Sequence, residues 1–181
     1  LLRADLALAY LDEASFVNAN LSQSNLSRSY FTGADFTGAQ LRSANLFVAD
    51  LQQATLVGVN LTGSQLQGAD FTDTQFTSAQ FQGTNPEGIR VRGANLSGTD
   101  LSNLNLRGAD FSGGSLRHGK FINTNLSGVN FQGADLSFTD FSGADLSYVN
   151  LQQATLEGIV FNQQTNLCGA LLPDGSEHEC N

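Results

Sequence analysis

The side chains that could do catalytic or metal chemistry are few, and most of them lie near the C-terminus. The 181 residues include two histidines, His118 and His178, and two cysteines, Cys168 and Cys180. The run Glu-His-Glu-Cys at residues 177–180 carries metal-ligating groups, but it lacks the spacing of known zinc sites. No serine or threonine is paired with a base, and no glycine-rich phosphate loop is present. We therefore expect no catalytic, cofactor-binding or metal-binding residue and no enzymatic activity.

The two cysteines leave two interpretations open. Cys168 and Cys180 either form a disulfide that closes a cap over the C-terminal end, or they remain two reduced thiols. A disulfide would imply an oxidising compartment, such as the periplasm or the thylakoid lumen, or a membrane-tethered position facing one. The sequence alone leaves the compartment undetermined.

Composition and charge exclude several classes of function. The formal net charge is −9, and Lys120 is the one lysine. Binding to a nucleic-acid backbone needs clustered Lys and Arg, so we expect no direct nucleic-acid contact. No apolar run approaches about 20 residues, so this segment itself should not contact a membrane. Charged residues make up only 14% of the chain, which argues for a buried apolar core rather than disorder.

A five-residue repeat runs through most of the chain. Its large apolar position recurs 33 times from Leu1 to Phe161, as 20 Leu, 11 Phe, Val91 and Pro86. A small side chain usually stands two residues earlier. A period of five matches neither an α-helix nor a β-strand. Two inward residues in every five, one large and one small, predict a coil that turns a corner at each repeat.

Glycine marks the corners. The position two residues after the large one holds 15 of the 19 glycines. Type II turns need a residue with positive φ at their third position, which favours glycine and then asparagine. At the exceptions, such as Arg28, Val48, His118, Phe138 and Tyr148, we expect turns without that requirement.

The segments "FTGADFTGAQL" (31–41) and "FQGADLS" (131–137) resemble the A(D/N)LxG pattern of the pentapeptide-repeat family. The resemblance covers about residues 1–162. It implies an all-β fold: a right-handed four-sided β-helix, or solenoid, with about eight coils of four repeats each. We expect a repeat domain over 1–162 and a short C-terminal capping tail over 163–181.

A coil of four repeats predicts that residues n and n+20 stack on one another. Each of two basic residues then lies between two acids, which forms two structural charge ladders: Asp70–Arg90–Asp110 and Asp100–Lys120–Asp140. Opposite charges on neighbouring strands stabilise a sheet modestly. Tyr10 and Tyr30 should stack in the same way, and a column of Asn and Gln should form an amide ladder at residues 25, 45, 65, 85, 105 and 125.

Pro86 occupies a large apolar position without changing the phase of the repeat. We therefore expect one unbroken rod, in which the missing N–H of Pro86 removes one hydrogen-bonded rung between coils. Leu104 is bulky where Ala is usual, and we expect Gly114 and Gly119 to make room for it.

These features favour a monomeric structural or protein-interaction module with an unknown protein partner. The candidate partner contacts are the apolar residues that face outward: Phe47, Val48, Phe138 and Tyr148. Leu1 is already in phase with the repeat, so we expect the chain to be the C-terminal part of a longer protein.

The resemblance points to cyanobacterial relatives. One similar protein is the membrane protein that deposits glycolipid in the heterocyst envelope, in which a membrane anchor would lie in the N-terminal part. The alternative is a DNA mimic that binds DNA gyrase, as some family members are. The charge of −9 favours that alternative, but the acids are spread over four faces and are interrupted by Arg90 and Lys120.

Overall fold

The computed structural model describes residues 1–180, along which every fifth residue returns to the same backbone state. A two-residue turn alternates with a single bridged residue, and residues 1–180 contain neither a helix nor a strand longer than one bridge. The bridges are parallel and join residue n to residue n+20, from Asp5↔Asn25 to Asp140↔Val160. Four repeats complete one coil, and the chain is a right-handed four-sided β-helix, which confirms the predicted fold class.

Main-chain hydrogen bonds join each coil to the next. The N–H of a large residue at position n donates to the carbonyl at position n+19, as Leu21 does to Gln40 at 2.8 Å and Phe31 does to Asp50 at 2.7 Å. The N–H of a bridged residue at position n donates to the carbonyl at position n−21 in the preceding coil, as Asn45 does to Ser24 at 2.9 Å. Almost all backbone polar groups on the four sides are therefore satisfied by a neighbouring coil.

The core is a stack of similar layers inside the coil. The large residues from Leu21 to Leu151 and the small residues between them are almost all buried. Phenylalanines one coil apart stack face to face, with ring centroids 4.8 Å apart for Phe16 and Phe36 and 5.3 Å apart for Phe121 and Phe141. Burial of this apolar column is the main favourable term in folding.

The Asp or Asn that precedes each large residue forms a turn with its own backbone. Its Oδ1 accepts the N–H of the residue two positions on, at 2.9 Å from Thr37 to Asp35 and at 3.1 Å from Ser97 to Asn95. Only the short Asx side chains make this turn well. The preference for Asp and Asn at this position therefore serves the corner, a reason that the repeat pattern alone did not reveal.

The expectation that the non-glycine corners use a different turn is wrong. Arg28, Val48, His118, Phe138 and Tyr148 all have φ between 54° and 60°, in the left-handed region. The N–H of each corner residue donates to the next coil, at 2.9 Å from Arg28 to Phe47. Ser78 lacks this inter-coil bond and still has a φ of 61°, so the conformation is set by the turn itself. Each corner residue is the third residue of a turn closed by its own hydrogen bond, as Ala49 N–H donates to Leu46 at 3.0 Å, at glycine and non-glycine corners alike.

The chain passes Pro86 without an inserted loop, but more than one rung is lost there. Within residues 1–180, the bridges expected at Gln80↔Asp100 and Asn85↔Asn105 are both missing. We call the gap between residues 78–86 and residues 97–105 the seam. Two rungs are therefore lost where the sequence predicted the loss of one.

Gly114 and Gly119 do not make room for Leu104. A Cβ at Gly119 would lie 2.8 Å from the carbonyl oxygen of Leu116, and one at Gly114 would lie 3.1 Å from that of Ala94. These glycines allow the backbone itself to approach closely.

The register slips by one position near the C-terminus. Asp145 pairs with Asn166 and Asn150 pairs with Leu171, so residue n now bridges to residue n+21, and Leu171 then pairs in antiparallel fashion with Glu177. Residues 163–171 thus still follow the coil. The domain boundary at residue 162 stays a prediction.

The Asx turns predict an acid-sensitive stability. Hydrogen bonds from the hydroxyl and the N–H of Thr37 lower the pKa of Asp35 below 3.8, and Ser137 does the same for the pKa of Asp135. A carboxyl with a lowered folded-state pKa stabilises the fold above its unfolded pKa, and this stabilisation is lost as pH falls through the folded value. We expect the free energy of unfolding, measured by urea titration, to fall below about pH 4. The double variant Asp35→Asn, Asp135→Asn keeps the Oδ1 acceptors, so its free energy of unfolding should fall less at low pH than that of the wild type. An equal fall in the variant and the wild type would contradict this prediction.

Candidate partner-binding surfaces

The two histidines lie apart on the rod, and each contacts a neighbouring group. The His118 ring stacks on Phe138 with centroids 5.1 Å apart, and His178 Nδ1 lies 3.0 Å from the carbonyl oxygen of Glu179. Within the described residues 1–180, no three His, Cys, Asp or Glu side chains converge on a point where a metal could bind. Residues 1–180 also include no helix with the length and hydrophobicity needed to cross a bilayer.

The charge ladders form in the backbone but only partly in the side chains. Arg90 Nε lies 2.8 Å from Asp70 Oδ2, as predicted. Asp110 pairs instead with Arg92, which follows Val91 one coil below and reaches back to the position that stacks on Arg90. Burial raises the pKa of Asp110, but hydrogen bonds from Ser112 and Arg92 outweigh it and hold the pKa below its usual value.

In the second ladder, Asp100–Lys120–Asp140, the side chains form no ion pair within residues 1–180. Lys120 bridges Asp100 and Asp140 through the main chain, yet within residues 1–180 no carboxylate lies within 4.0 Å of its ammonium group. Both carboxylates are held in Asx turns by Ser102 and Ser142, at 3.0 and 2.9 Å. Asp70 and Asp110 make the same turn through Oδ1 and still pair with arginine through Oδ2, so the difference lies in the cation. A lysine ammonium is a compact and strongly hydrated charge, whereas an arginine guanidinium is weakly hydrated and pairs more readily with a carboxylate.

A disulfide between Cys168 and Cys180 ties the C-terminal tail to the last coil. The tail folds back as a hairpin: His178 N–H donates to Ala170 at 2.8 Å, and Gly169 N–H donates to His178 at 2.9 Å. Ala170 is fully buried beneath it. The tail therefore covers part of the edge that the solenoid presents at this end.

Two of the candidate contacts lie on glycines of the next coil. The Phe138 ring lies between Gly158 and the His118 ring, and the Tyr148 ring covers Gly169. Arg117 also lies over the Phe138 ring, at 5.5 Å from its centroid. Phe138 and Tyr148 are half a coil apart in the register, on opposite corners of the rod, so they do not form one surface.

The other two candidates belong to a larger exposed cluster on the first three coils. The Tyr10 and Tyr30 rings are parallel with centroids 4.8 Å apart, and Arg28 lies 6.0 Å above the Phe47 ring. The register places these residues in adjacent columns around a single corner. We call the cluster the aromatic corner patch, which consists of Leu8, Tyr10, Arg28, Tyr30, Phe47 and Val48.

Exposure sets the aromatic corner patch apart from the rest of the rod. Tyr10 is 79% exposed and Leu8 is 63% exposed, while Tyr30, Phe47 and Val48 are each 40% exposed or more. Asp50 stacks on Tyr30 in the same column, and the register places Arg3 and Asp5 before the patch and Asp12 and Glu13 after it. Soluble proteins seldom expose large apolar groups together without a binding role.

The sequence contained the signal for this patch, but only in part. The stacking of Tyr10 on Tyr30 follows from the register of four repeats per coil, and Phe47 and Val48 are plainly outward. Leu8 and Arg28 stack in the same column as Val48, beside Tyr10 and Tyr30, so the register also connects the two pairs; the contact of Arg28 with the Phe47 ring required the side-chain conformations.

A family model described as pentapeptide repeats matches the chain in eight copies, over residues 1–28, 9–47, 44–83, 74–113, 92–128 and 124–163. No curated protein matches the chain in sequence.

Several solved structures are similar. Trypsin-treated QnrB1, a plasmid-mediated fluoroquinolone resistance protein, is 19% identical over 90% of this chain and 88% of its own, with a TM-score of 0.76. HetL from Nostoc sp. strain PCC 7120, involved in heterocyst differentiation regulation, is 27% identical over 97% of this chain and 92% of its own, with a TM-score of 0.37. A pentapeptide repeat protein of the Arabidopsis thaliana thylakoid lumen is 24% identical over 57% of this chain and 69% of its own, with a TM-score of 0.42. The likeness to QnrB1 shows a shared fold.

The rings over glycine predict unequal costs for two similar substitutions. Gly158 and Gly108 both have positive φ, but a Cβ at Gly158 would lie 2.6 Å from the Phe138 ring and one at Gly108 would meet nothing within 4 Å. We expect Gly108→Ala to cost about 1 kcal/mol through its backbone alone and Gly158→Ala to cost more. In a Phe138→Ala background the two costs, measured by urea denaturation, should become equal; a persistent difference would show that the ring is not responsible.

The disulfide predicts a local effect of reduction. In a solenoid each coil contacts only its neighbours, so loss of the covalent tie should loosen the end and leave distant coils unchanged. We expect hydrogen exchange at Leu172 and His178 to accelerate on reduction, or in Cys180→Ser, while exchange at Leu61 stays as it was. Acceleration along the whole rod, or none at the tail, would contradict this local role.

Proposed function

The chain belongs to the pentapeptide-repeat family, and we propose that it is a non-catalytic protein-binding rod that docks its partner on the aromatic corner patch. Proteins of this family generally act in interactions rather than catalysis. The observation that carries the proposal is the concentration of exposed Tyr, Phe and Arg on one corner of coils 1 to 3, on a rod whose other outward positions are mostly Ser, Thr, Asn, Gln and Gly.

The chemistry of the patch suits protein recognition. Tyr and Arg dominate the binding energy of measured interfaces, because they bury a large area and also donate hydrogen bonds. The Tyr10–Tyr30 stack and the Arg28–Phe47 contact hold four side chains against their neighbours before any partner arrives. Such preorganisation reduces the entropy that is lost on binding.

The border of the patch indicates the kind of partner. Asp5, Asp12, Glu13 and Asp50 stand around the largely apolar patch, which itself contains Arg28, and the chain as a whole carries a charge of −9. Complementary charge steers association and disfavours wrong partners. We infer that the partner presents an apolar patch bordered by Lys or Arg. A second copy of this chain would bring like charges together, so the rod itself is proposed to be a monomer.

The finer placement is also a proposal: a capped repeat domain that forms the C-terminal part of a longer, membrane-anchored cyanobacterial protein, in the manner of the heterocyst glycolipid-deposition protein. The gyrase-directed alternative gains no support from the geometry. Arg90 and Arg92 interrupt the acidic side of the rod and pair with Asp70 and Asp110. A DNA mimic needs a continuous acidic surface, so we do not propose that function.

Site-specific photo-cross-linking in the native cells tests the docking surface. A photoreactive phenylalanine analogue at position 30 should give one discrete adduct, and the cross-linked peptide should contain apolar residues next to Lys or Arg. The matched control is position 130, which lies in the same column of the rod five coils away. The adduct should disappear when Arg28→Glu is added. Equal adducts from both positions, or cross-links only within the chain, would contradict the proposal.

A further inference from the structure

We propose that the seam is a hinge at which the rod bends. The inference rests on the hydrogen-bond ladder and does not depend on the identity of the partner. From Arg3 to Phe141, the N–H at every large and every corner position n donates to the carbonyl at position n+19, except at four consecutive positions: Ser78, Phe81, Gly83 and Pro86. Along the bridged positions 25–160, the reverse bonds are missing only at Asp100 and Asn105. The missing bonds are contiguous.

The gap is confined to two adjacent sides of the rod. It separates Gln80 from Asp100 on one side and Asn85 from Asn105 on the next. On the two remaining sides the same coils are joined normally, with Val91 N–H donating to Asp110 at 2.8 Å and Ser115 N–H donating to Ala94 at 3.0 Å. A joint that is open along one side and bonded along the opposite side can bend without breaking further bonds.

An ion pair strengthens the closed sides. Arg92 pairs with Asp110 across the same two coils that the seam separates on the opposite side. The bonded sides define the axis about which the two halves of the rod would rotate.

Two irregular residues lie at the gap. Pro86 has no N–H, and its ring occupies the place where the N–H would point at the next coil. Leu104 fills a normally small inward position one coil above Thr84. Overfilling a packed core forces backbone shifts. Thr99 Oγ1, at the edge of the seam, is buried without a hydrogen-bond partner among the described residues.

The cost of opening at the seam is low because its bonds are already absent. Gln80, Asn85, Asp100 and Asn105 are all exposed, so water can reach the unpaired backbone groups between them. Regions with few protected hydrogen bonds open at the lowest free energy in a protein. The seam therefore divides the solenoid into two stiff blocks, and the aromatic corner patch lies on the first of them.

Amide hydrogen exchange by NMR on the full chain, with its disulfide intact, tests the seam. The amides of Ser78, Phe81, Gly83, Asp100 and Asn105 should exchange at least about 100-fold faster than their equivalents one coil earlier, at Gly58, Leu61, Gly63, Gln80 and Asn85. The control amides all donate to a neighbouring coil, at 2.8 to 3.1 Å. Equal protection in the two sets would overturn the proposal.

Spin-label distances test the bending itself. Labels at residues 22 and 142 span six coils, about 29 Å, on the open side, and labels at 32 and 152 span the same length on the bonded side. We expect a broader distance distribution for the first pair, which narrows in the double variant Pro86→Leu, Leu104→Ala. Equal widths for the two wild-type pairs would show that the seam does not act as a hinge, whether or not the double variant folds.

Discussion

The structure depends on one constraint: each coil must contain four whole repeats, because the N–H and C=O groups of one coil are satisfied by the next coil. Every other regularity follows from it. The corners take positive φ even at Val48 and Phe138, since each is the third residue of a turn that its own hydrogen bond closes. The large residues form continuous columns, and the phenylalanines stack one coil apart.

The same constraint separates the structural positions from the positions that are free to vary. The inward residues and the Asx turn are committed to the coil, while the two corner residues of each repeat face outward and carry no structural requirement beyond their backbone. Binding chemistry can be placed there without cost to the core. The aromatic corner patch uses these positions, together with Tyr10 and Tyr30 in the bridged column.

The repeat pattern predicted the fold, the register and the core, because a five-residue period in phase over 33 units leaves little choice of structure. It did not predict what depends on side-chain reach or on cooperative shifts. Arg92 pairs with Asp110 in place of Arg90 because its side chain reaches the neighbouring column, and Lys120 forms no ion pair among the described residues although Asp100 makes the same turn as Asp110. The seam is wider than Pro86 alone implies, and Leu104 lies at the same joint. The contact of Arg28 with the Phe47 ring depends on side-chain conformation, which the register does not give.

Through-hydrogen-bond NMR couplings test the register of the coils most directly. We expect a coupling from the amide nitrogen of residue n to the carbonyl carbon of residue n+19, for example from Phe31 to Asp50 and from Leu101 to Lys120. No such coupling is expected at Phe81 and Gly83. Couplings at a different spacing would contradict the register. An uninterrupted series through Phe81 and Gly83 would contradict the seam and leave a uniformly stiff rod.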